Sequence, residues 1–381
     1  MDLTKFDDIR PYNDSEVHPA LERIVANPLF SNISRYLYPG MDENLFKQAL
    51  LSCYTKDDFQ VKIMSKIVDK VLADTTNGLS YEGMEHFNGG KKYLIVSNHR
   101  DIVLDSAIIQ LILFKAGAQT TEIAVGDNLI TSSFIEDITR CNKMIKVVRS
   151  TSPREVYTTS KKLSEYMRYN VATQESSIWI AQRNGRTKDG ADITEQGVLK
   201  MFDMSGSGDF VKDFTELHIM PASISYEYEP CDLYKAVEIY IKRRQKYVKA
   251  EGEDLNSILT GIMQPKGRVH IQFNEPVTVQ EIEAAAQLDK NERFKALGAV
   301  MDRKILANFK LWPNNYIAFD MLNEGGRFAD KYTADEKAAF EGYMAGKLAK
   351  AGIEADMDEL RGIFLAFALM DMAMPLSGSY V

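Results

Sequence analysis

The chain has 381 residues, 45% of them apolar and 26% charged, so it can bury a sizeable core and is not intrinsically disordered. Its formal net charge of −8 argues against broad nucleic-acid binding. The three cysteines are widely spaced, which predicts neither a disulfide framework nor a zinc site and is typical of a reducing compartment.

Nothing in the sequence predicts a membrane span. Residues 1–12 carry three aspartates and no apolar run, so we do not expect a secretory signal there. No stretch reaches the roughly 18 apolar residues that a span needs. The nearest, 363–376, contains Asp371 and fits either a core helix or a helix in a lipid interface. We expect a cytoplasmic protein, and peripheral contact with the inner face of the cytoplasmic membrane stays open.

The pattern of apolar residues divides the chain into three parts. Residues 1–85 predict an N-terminal helical region, and the turn beginning at Asn88 marks its end. From 86 to 280, short apolar runs alternate with helices, which predicts an α/β core: a mostly parallel mixed sheet flanked by helices. The predicted strands are 93–96, 121–125, 144–148, 177–181, 218–228 and 268–273, and the helices between them are 102–116, 154–169 and 233–249. Residues 281–381 return to helix.

The first candidate for chemistry is a histidine–aspartate pair in 97–105, directly after the first predicted strand. Open α/β sheets place their sites at the carboxyl ends of strands. His99 could take a proton from an alcohol while Asp105 holds the other ring nitrogen. The two residues are about 240° apart around a helix, so His99 must precede the helix and Asp105 must reach back to it. Taken alone, the pair also fits a structural hydrogen bond.

Arginines follow two other predicted strands. Arg149 ends one of them, and Arg186 lies with Asn184 and Gly185 in the loop after another. Glycine allows close backbone approach, and a guanidinium group binds phosphate oxygens in pairs. A basic surface turn is the alternative. Residues 140–168 carry eight basic side chains and two acids, which fits either an anion-binding patch or a solvated helix face.

In this order and at these intervals, four sequence blocks resemble those of the glycerolipid acyltransferase superfamily, which includes lysophosphatidic acid and glycerol-3-phosphate acyltransferases. The blocks are 97–105, 143–149, 178–190 and the proline-containing run 219–226, and the resemblance extends to the tail 269–276. It therefore spans roughly 86–280. A bacterial branch of the family is the nearest in pattern.

The resemblance implies an O-acyltransferase of phospholipid biosynthesis. A fatty acyl group would move from a thioester donor, acyl-CoA or acyl carrier protein, to the hydroxyl of a lysophospholipid such as 1-acylglycerol-3-phosphate. No metal or other cofactor is implied.

The family's functional residues carry over position by position. His99 would be the general base and Asp105 its orienting partner. Arg149 and Arg186 would bind the acceptor's phosphate, with Gly185 shaping the loop. The strand at Pro221 would line the pocket for the acyl chain or its donor.

The sequence departs from the family pattern at two positions. Five residues separate His99 from Asp105 where the family usually has four. Asn184 is the best match to a glutamate of the family pattern, and Gln182 is the less favoured alignment. Asparagine keeps an acceptor oxygen but loses the charge. A catalytically weak lipid-binding relative is therefore one alternative. A glycerol-3-phosphate acyltransferase is the other, favoured by the added helical segments.

Overall fold

A computed structural model describes residues 3–188, 192–323 and 325–369. Within these residues seven strands form one sheet in the order β1-β7-β6-β2-β5-β3-β4. The strands are β1 (Thr76–Glu82), β2 (Leu94–Ser97), β3 (Glu122–Gly126), β4 (Met144–Val147), β5 (Ile178–Ala181), β6 (Ile219–Tyr226) and β7 (Gly267–Phe273). β6 and β7 pair antiparallel, and the other neighbours pair parallel. The predicted fold class, a mostly parallel mixed sheet flanked by helices, is confirmed.

Helices precede, cover and follow the sheet. They are α1 (Asp14–Ala26), α2 (Leu29–Leu37), α3 (Glu43–Leu51), α4 (Lys56–Asp58), α5 (Ser65–Thr75), α6 (Leu104–Lys115), α7 (Ser133–Cys141), α8 (Pro153–Ala172), α9 (Gln196–Asp203), α10 (Phe210–Thr215), α11 (Asp232–Lys242), α12 (Glu253–Met263), α13 (Val279–Ala286), α14 (Glu292–Ala307), α15 (Pro313–Asn323), α16 (Ala334–Leu348) and α17 (Met357–Leu369). A π-helical segment, Phe59–Met64, joins α4 to α5. Short 3-10 turns lie at Thr4–Phe6, Met84–Gly90 and Asp127–Leu129.

The centre of the sheet is covered on both faces. All four residues of β2 are buried, as expected for a parallel strand with an uninterrupted apolar sequence. One face packs against α8, α9 and α14, and the other packs against α5 and α6. The strands are therefore rigid supports, and the loops after them can hold side chains in fixed positions.

The structure differs from the sequence prediction at β1, which lies inside the region predicted to be helical. Its sequence is mostly polar and most of its side chains are exposed. β1 is an edge strand held by backbone pairing with β7, with Leu79 opposite Val269. Its sequence lacks an apolar run because it has no buried face, so hydrophobic periodicity does not detect it.

Two smaller apolar clusters hold the helices outside the sheet. The N-terminal helices α1, α2, α3 and the π-helical segment pack with α7, and the C-terminal helices α15, α16 and α17 pack against α11. Ile363, Phe364 and Leu365 are buried in the C-terminal cluster. The described part of the apolar segment 363–376 is thus a core helix, and its residues from 370 lie outside the described residues. No helix among the described residues is long and apolar enough to cross a membrane.

Candidate active site

The predicted site residues converge at one edge of the sheet. β2, β5, β3 and β4 are parallel neighbours, so the loops after them leave the sheet on the same side. His99 follows β2 by two residues, and Arg149 follows β4 by two. Asn184 and Arg186 lie in the loop after β5. These four residues and Gly185 line a single cleft.

His99 and Asp105 form a hydrogen-bonded pair. His99 Nδ1 lies 2.9 Å from Asp105 Oδ2. The same oxygen accepts the backbone N–H groups of Arg100 at 2.6 Å and Asp101 at 3.0 Å. Asp105 is completely buried in the first turn of α6, where the partial positive charge of the helix terminus favours a carboxylate. With that carboxylate accepting from Nδ1–H, Nε2 of His99 is left to accept a proton.

The lengthened spacing of the pair is absorbed in the turn before α6. Asp101 Oδ1 accepts the N–H groups of Val103 at 2.9 Å and Leu104 at 2.8 Å. The turn therefore folds around two carboxylates, one capping α6 and one holding His99. The fifth intervening residue does not separate the histidine from its partner.

Tyr226, the last residue of β6, holds the second oxygen of Asp105. Its hydroxyl donates to Asp105 Oδ1 at 2.9 Å, and the side chain is buried. Burial and the neighbouring Asp105 raise the pKa of Tyr226 well above its ordinary value, so the phenol keeps the proton that it donates. Sequence reasoning quoted this tyrosine in the Pro221 block but gave it no role. An aromatic residue with a polar tip at the end of a buried strand was the available signal.

The turn that carries His99 is fixed to the neighbouring strands. The ring of Trp179 meets the His99 ring edge-on, with centroids 5.9 Å apart, and its Nε1–H donates to Ser97 Oγ at 3.0 Å. Asn98 forms two hydrogen bonds with the backbone of Ile224 in β6. The imidazole is thus held on two sides before any substrate binds.

A buried ion pair connects this turn to the loop after β5. Arg100 Nη2 donates to Asp192 Oδ2, and the hydroxyl of Thr187 donates to Asp192 Oδ1. The backbone N–H of Thr187 donates to the carbonyl oxygen of His99 at 2.9 Å. Asp192 was missed by sequence reasoning because it lies beyond the quoted block. Asp189 and Gly190, which that block included, lie outside the described residues.

The cleft in front of His99 has a volume of about 470 Å³. Ile102, Leu129 and Ile239 give its lining an apolar part. Its cationic lining residues are Arg149, Arg183, Arg186, Lys188, Lys242, Arg243 and Lys249. Among the described lining residues Asp254 is the single carboxylate. On a chain of net charge −8, this concentration of positive charge selects for an anionic ligand.

Arg149 and Arg186 differ from the other cations of the cleft. Within the described residues neither one forms an ion pair, and Nη1 of Arg186 is buried with no hydrogen-bond partner. Lys188, in contrast, pairs with Glu238, and Lys249 with Asp254. A buried donor without a partner carries a desolvation cost that a ligand oxyanion would remove. The two arginines are therefore the best-placed anion ligands.

Two glycines make room for these groups. Gly185 has a φ of +76°, a left-handed conformation that other residues rarely adopt. A Cβ at Gly126 would lie 2.8 Å from Arg149 Nε, so the Arg149 side chain would have to shift from its present position to admit any other residue there. Asn184 is exposed, and its backbone N–H donates to Glu195 Oε2 at 3.2 Å.

The basic segment 140–168 does not form an anion-binding patch as a whole. Five of its eight cations pair with acids: Arg140 and Lys146 with Glu136, Lys143 with Asp57, Lys162 with Asp8 and Arg168 with Glu216. Arg149 is the member that lines the cleft. The paired cations connect the N-terminal residues and neighbouring helices to the core, whereas Arg154 and Lys161 are exposed.

Pro221 lies within β6, opposite Val96 of β2. Pairing of β6 with β7 begins one residue later, at Ala222, so the missing N–H of proline interrupts no bond of that ladder. Pro221 is buried in the sheet and lines neither the basic cleft nor the apolar cavity described below. The pocket-lining role that the resemblance implies for the strand at Pro221 stays a prediction.

The fold and the site define the class of protein. Residues 78–225 match the family model described as Acyltransferase. The matched segment, an acyltransferase domain, holds His99, Asp105, Arg149 and Arg186, and Tyr226 follows it directly. The predicted enzyme class, an acyltransferase, is confirmed.

Similarity to individual proteins is more distant. The crystal structure of the 1-acyl-sn-glycerophosphate (LPA) acyltransferase, PlsC, from Thermotoga maritima is similar to this chain, with a TM-score of 0.42 and 12% sequence identity. The match covers 78% of this chain and 96% of that chain. No curated protein has significant sequence similarity to this chain. A likeness of this degree assigns no substrate.

Proposed function

We propose that this protein transfers a fatty acyl group from a thioester donor to the hydroxyl of a lysophospholipid such as 1-acylglycerol-3-phosphate, as a step of phospholipid biosynthesis. One observation carries the proposal. His99, which is hydrogen-bonded to Asp105, lines the same cleft as Arg149 and Arg186. Neither arginine has an ion-pair partner among the described residues. All four residues lie in the acyltransferase domain.

The geometry supports direct transfer with His99 as general base. Nε2 takes the proton of the acceptor hydroxyl while the oxygen of that hydroxyl attacks the thioester carbonyl carbon. The new C–O bond forms, the C–S bond then breaks, and the departing sulfur takes the proton from the imidazolium. Asp105 holds the ring in the required tautomer and stabilises its positive charge, and Tyr226 holds Asp105.

Arg149 and Arg186 are proposed to bind the acceptor's phosphate. Their guanidinium groups line the cleft from the loops after β4 and β5, two strands that lie on the same side of β2 in the sheet. A phosphate held there would bring a hydroxyl of the same small molecule towards the histidine. Guanidinium groups suit this task because they bind phosphate oxygens bidentately.

Replacing either arginine should therefore affect phosphate-bearing acceptors selectively. We expect Arg149→Gln and Arg186→Gln to raise KM for 1-acylglycerol-3-phosphate roughly 10- to 100-fold, because each variant loses a charge-assisted contact. KM for a neutral monoacylglycerol should change little. Steady-state kinetics with both acceptors measure the difference, and Arg361→Gln, an exposed position on α17, is the control. Equal losses on both acceptors would remove the phosphate role.

An apolar cavity beside the catalytic turn supports a fatty acyl substrate. It has a volume of about 210 Å³, and every residue of its lining is apolar. Val103 and Leu104, from the turn between His99 and Asp105, form part of its wall. The rest comes chiefly from the N-terminal helices and α5, including Ile33, Phe46, Ile63 and Val68. An apolar cavity of about 150 Å³ takes up a six-carbon ring, so this one can hold part of an acyl chain.

Narrowing this cavity should shorten the acyl chain that the enzyme accepts. Ala107 lines it from α6, one turn after Val103. We expect Ala107→Leu to lower kcat/KM for a palmitoyl thioester roughly tenfold. The larger side chain would exclude about two CH₂ groups of the acyl chain from the cavity, and the burial free energy lost is about 1.6 kcal/mol. A butyryl thioester should react as before. Ala338→Leu, at an exposed position of α16, is the matched control. An equal loss with both chain lengths would argue against an acyl site here.

Contact with a membrane surface, at the cytoplasmic face, belongs to the same proposal. The hairpin formed by α2 and α3 carries side chains of the apolar cavity on its inner side. It also exposes apolar side chains: Leu29, Tyr36, Met41 and Leu45. A lipid surface would cover these side chains at the place where an acyl chain enters.

An acceptor panel tests the proposed function as a whole. Glycerol-3-phosphate, 1-acylglycerol-3-phosphate and monoacylglycerol are each incubated with radiolabelled palmitoyl-CoA and with the corresponding carrier-protein thioester. We expect labelled product chiefly from 1-acylglycerol-3-phosphate. Product chiefly from glycerol-3-phosphate would identify that molecule as the acceptor. If no donor–acceptor pair gives product, the result would support the alternative that the protein is a lipid-binding relative.

A further inference from the structure

We propose that a second group of cations in the cleft binds the phosphate-bearing tail of the thioester donor. This group, the outer cationic wall, consists of Lys188, Lys242, Arg243 and Lys249. The inference rests on the proposed function and goes further, because it divides the cations of the cleft between two substrates.

The first step is that both substrates must reach the same imidazole. The side chain of His99 is 14% exposed, and Asp105 and Trp179 cover two of its sides. The basic cleft is the opening onto this residue. If Arg149 and Arg186 hold the acceptor phosphate and the apolar cavity holds the acyl chain, the polar arm of the donor leaves along the remaining wall.

That remaining wall comes from α11 and the segment after it. Lys188 and Lys242 both pair with Glu238, which is largely buried and holds the two ammonium groups side by side at 2.5 and 2.8 Å. Arg243 is the first residue after α11, and it lines the same cleft. The wall is thus a cationic surface whose members Lys242, Arg243 and Lys249 lie on elements other than those that carry Arg149 and Arg186, while Lys188 follows Arg186 in the loop after β5.

Lys249 closes the wall on the side of β3. It pairs with Asp254, and Asp254 also accepts a hydrogen bond from Asn128 at 3.2 Å. Asn128 in turn lies in the turn after β3, beside the Gly126 position that Arg149 crosses. The outer wall therefore meets the acceptor subsite at Asn128.

The wall is available to a ligand even though its members have acidic partners. The side chains of Lys242, Arg243 and Lys249 are 52%, 55% and 49% exposed. Ion pairs at such positions contribute about 0–1 kcal/mol, so a phosphate dianion can replace the carboxylate partner. Charge at the mouth of a cleft also raises the association rate of an anionic substrate.

The chemistry of thioester donors fits such a wall. Acyl-CoA and acyl carrier protein both carry the acyl group on a pantetheine arm that ends in a phosphate, and CoA adds the phosphates of its nucleotide. A set of three donors distinguishes these sources: acyl-CoA, acyl-4′-phosphopantetheine, and acyl-pantetheine, which has no phosphate.

The test compares these donors on a triple variant, Lys242→Gln with Arg243→Gln and Lys249→Gln, at saturating acceptor. We expect KM for acyl-CoA to rise roughly tenfold or more, with KM for acyl-pantetheine unchanged. A parallel rise for acyl-4′-phosphopantetheine would assign the contact to the pantetheine phosphate, and a rise confined to acyl-CoA would assign it to the nucleotide phosphates. The matched control removes three exposed lysines outside the cleft, Lys161, Lys290 and Lys337.

Two results would overturn the inference: an equal rise for acyl-pantetheine, or a rise in KM for the acceptor in place of the donor. Calorimetric binding of CoA gives a readout that does not depend on turnover, and it should weaken at least tenfold in the triple variant. Unchanged CoA binding by the triple variant would contradict the inference. A wild-type protein that binds CoA through this wall but transfers no acyl group would contradict the proposed function alone.

Discussion

A His99→Ala variant is expected to lose roughly 10²- to 10⁴-fold in kcat, which is the contribution of a positioned general base. His99 Nε2 is the proton acceptor that the cleft presents, since Nδ1 is engaged by Asp105. Because the side chain lies at the cleft surface, its truncation should leave the fold intact. The measurement is kcat under saturating donor and acceptor, with circular dichroism and thermal unfolding to verify the fold.

Two companion variants make this test specific. His86→Ala removes a histidine that does not line the cleft and should keep the wild-type rate. Asp105→Asn keeps the shape of the carboxylate, but its amide can donate to Nδ1 and so favour the unproductive tautomer. We expect its kcat to fall with little change in KM. A His99→Ala enzyme that turns over at the wild-type rate would contradict the assignment of His99 as general base.

The cleft residues could be predicted from sequence because each one follows its own strand. His99, Arg149 and Arg186 come directly after short apolar runs that the structure confirms as β2, β4 and β5. Parallel strands bring such positions to one edge whatever their order in the chain. Strand pairing therefore brings these residues together although His99 and Arg186 lie more than 80 positions apart, and the family resemblance singled them out as one set.

Residues that depend on tertiary contacts were not predictable in this way. Tyr226 reaches Asp105 across 121 positions of sequence, and nothing near either residue signals the contact. Lys242 and Arg243 lie in a charged segment that was predicted to be a helix, and its sequence does not indicate which side chains face the cleft. Their position in the cleft lining depends on how this segment packs against the core. Lys143 shows the converse, a cation in a promising segment that pairs with Asp57 instead.

The departure at Asn184 has an electrostatic consequence. Asn184 lines the cleft, whose described lining has one carboxylate. A glutamate at this position would add a second negative charge close to Arg186. Asparagine leaves Asp254 as the one carboxylate of the described lining that interacts with Arg186, so this residue favours binding of an anionic acceptor more than a glutamate would.

The second large effect is expected from Asp192→Ala, which should lower the free energy of unfolding by roughly 3–5 kcal/mol. Asp192 is 1% exposed and its partner Arg100 is 3% exposed. The variant takes away the carboxylate that pairs with the buried guanidinium of Arg100 and that accepts the hydrogen bond of the Thr187 hydroxyl. Urea unfolding, followed by fluorescence, measures the change.

An exposed ion pair provides the matched comparison. Asp69 pairs with Lys115, and both side chains are nearly half exposed, so Asp69→Ala should cost about 1 kcal/mol or less. If Asp69→Ala and Asp192→Ala shift the urea midpoint equally, the buried pair has no special role. A larger shift for Asp192→Ala, with a lower kcat at temperatures where the protein stays folded, would show that the pair also holds the loop of Arg186 against the turn of His99. Stability and catalysis would then depend on the same buried carboxylate, because the acceptor subsite and the base are joined through it.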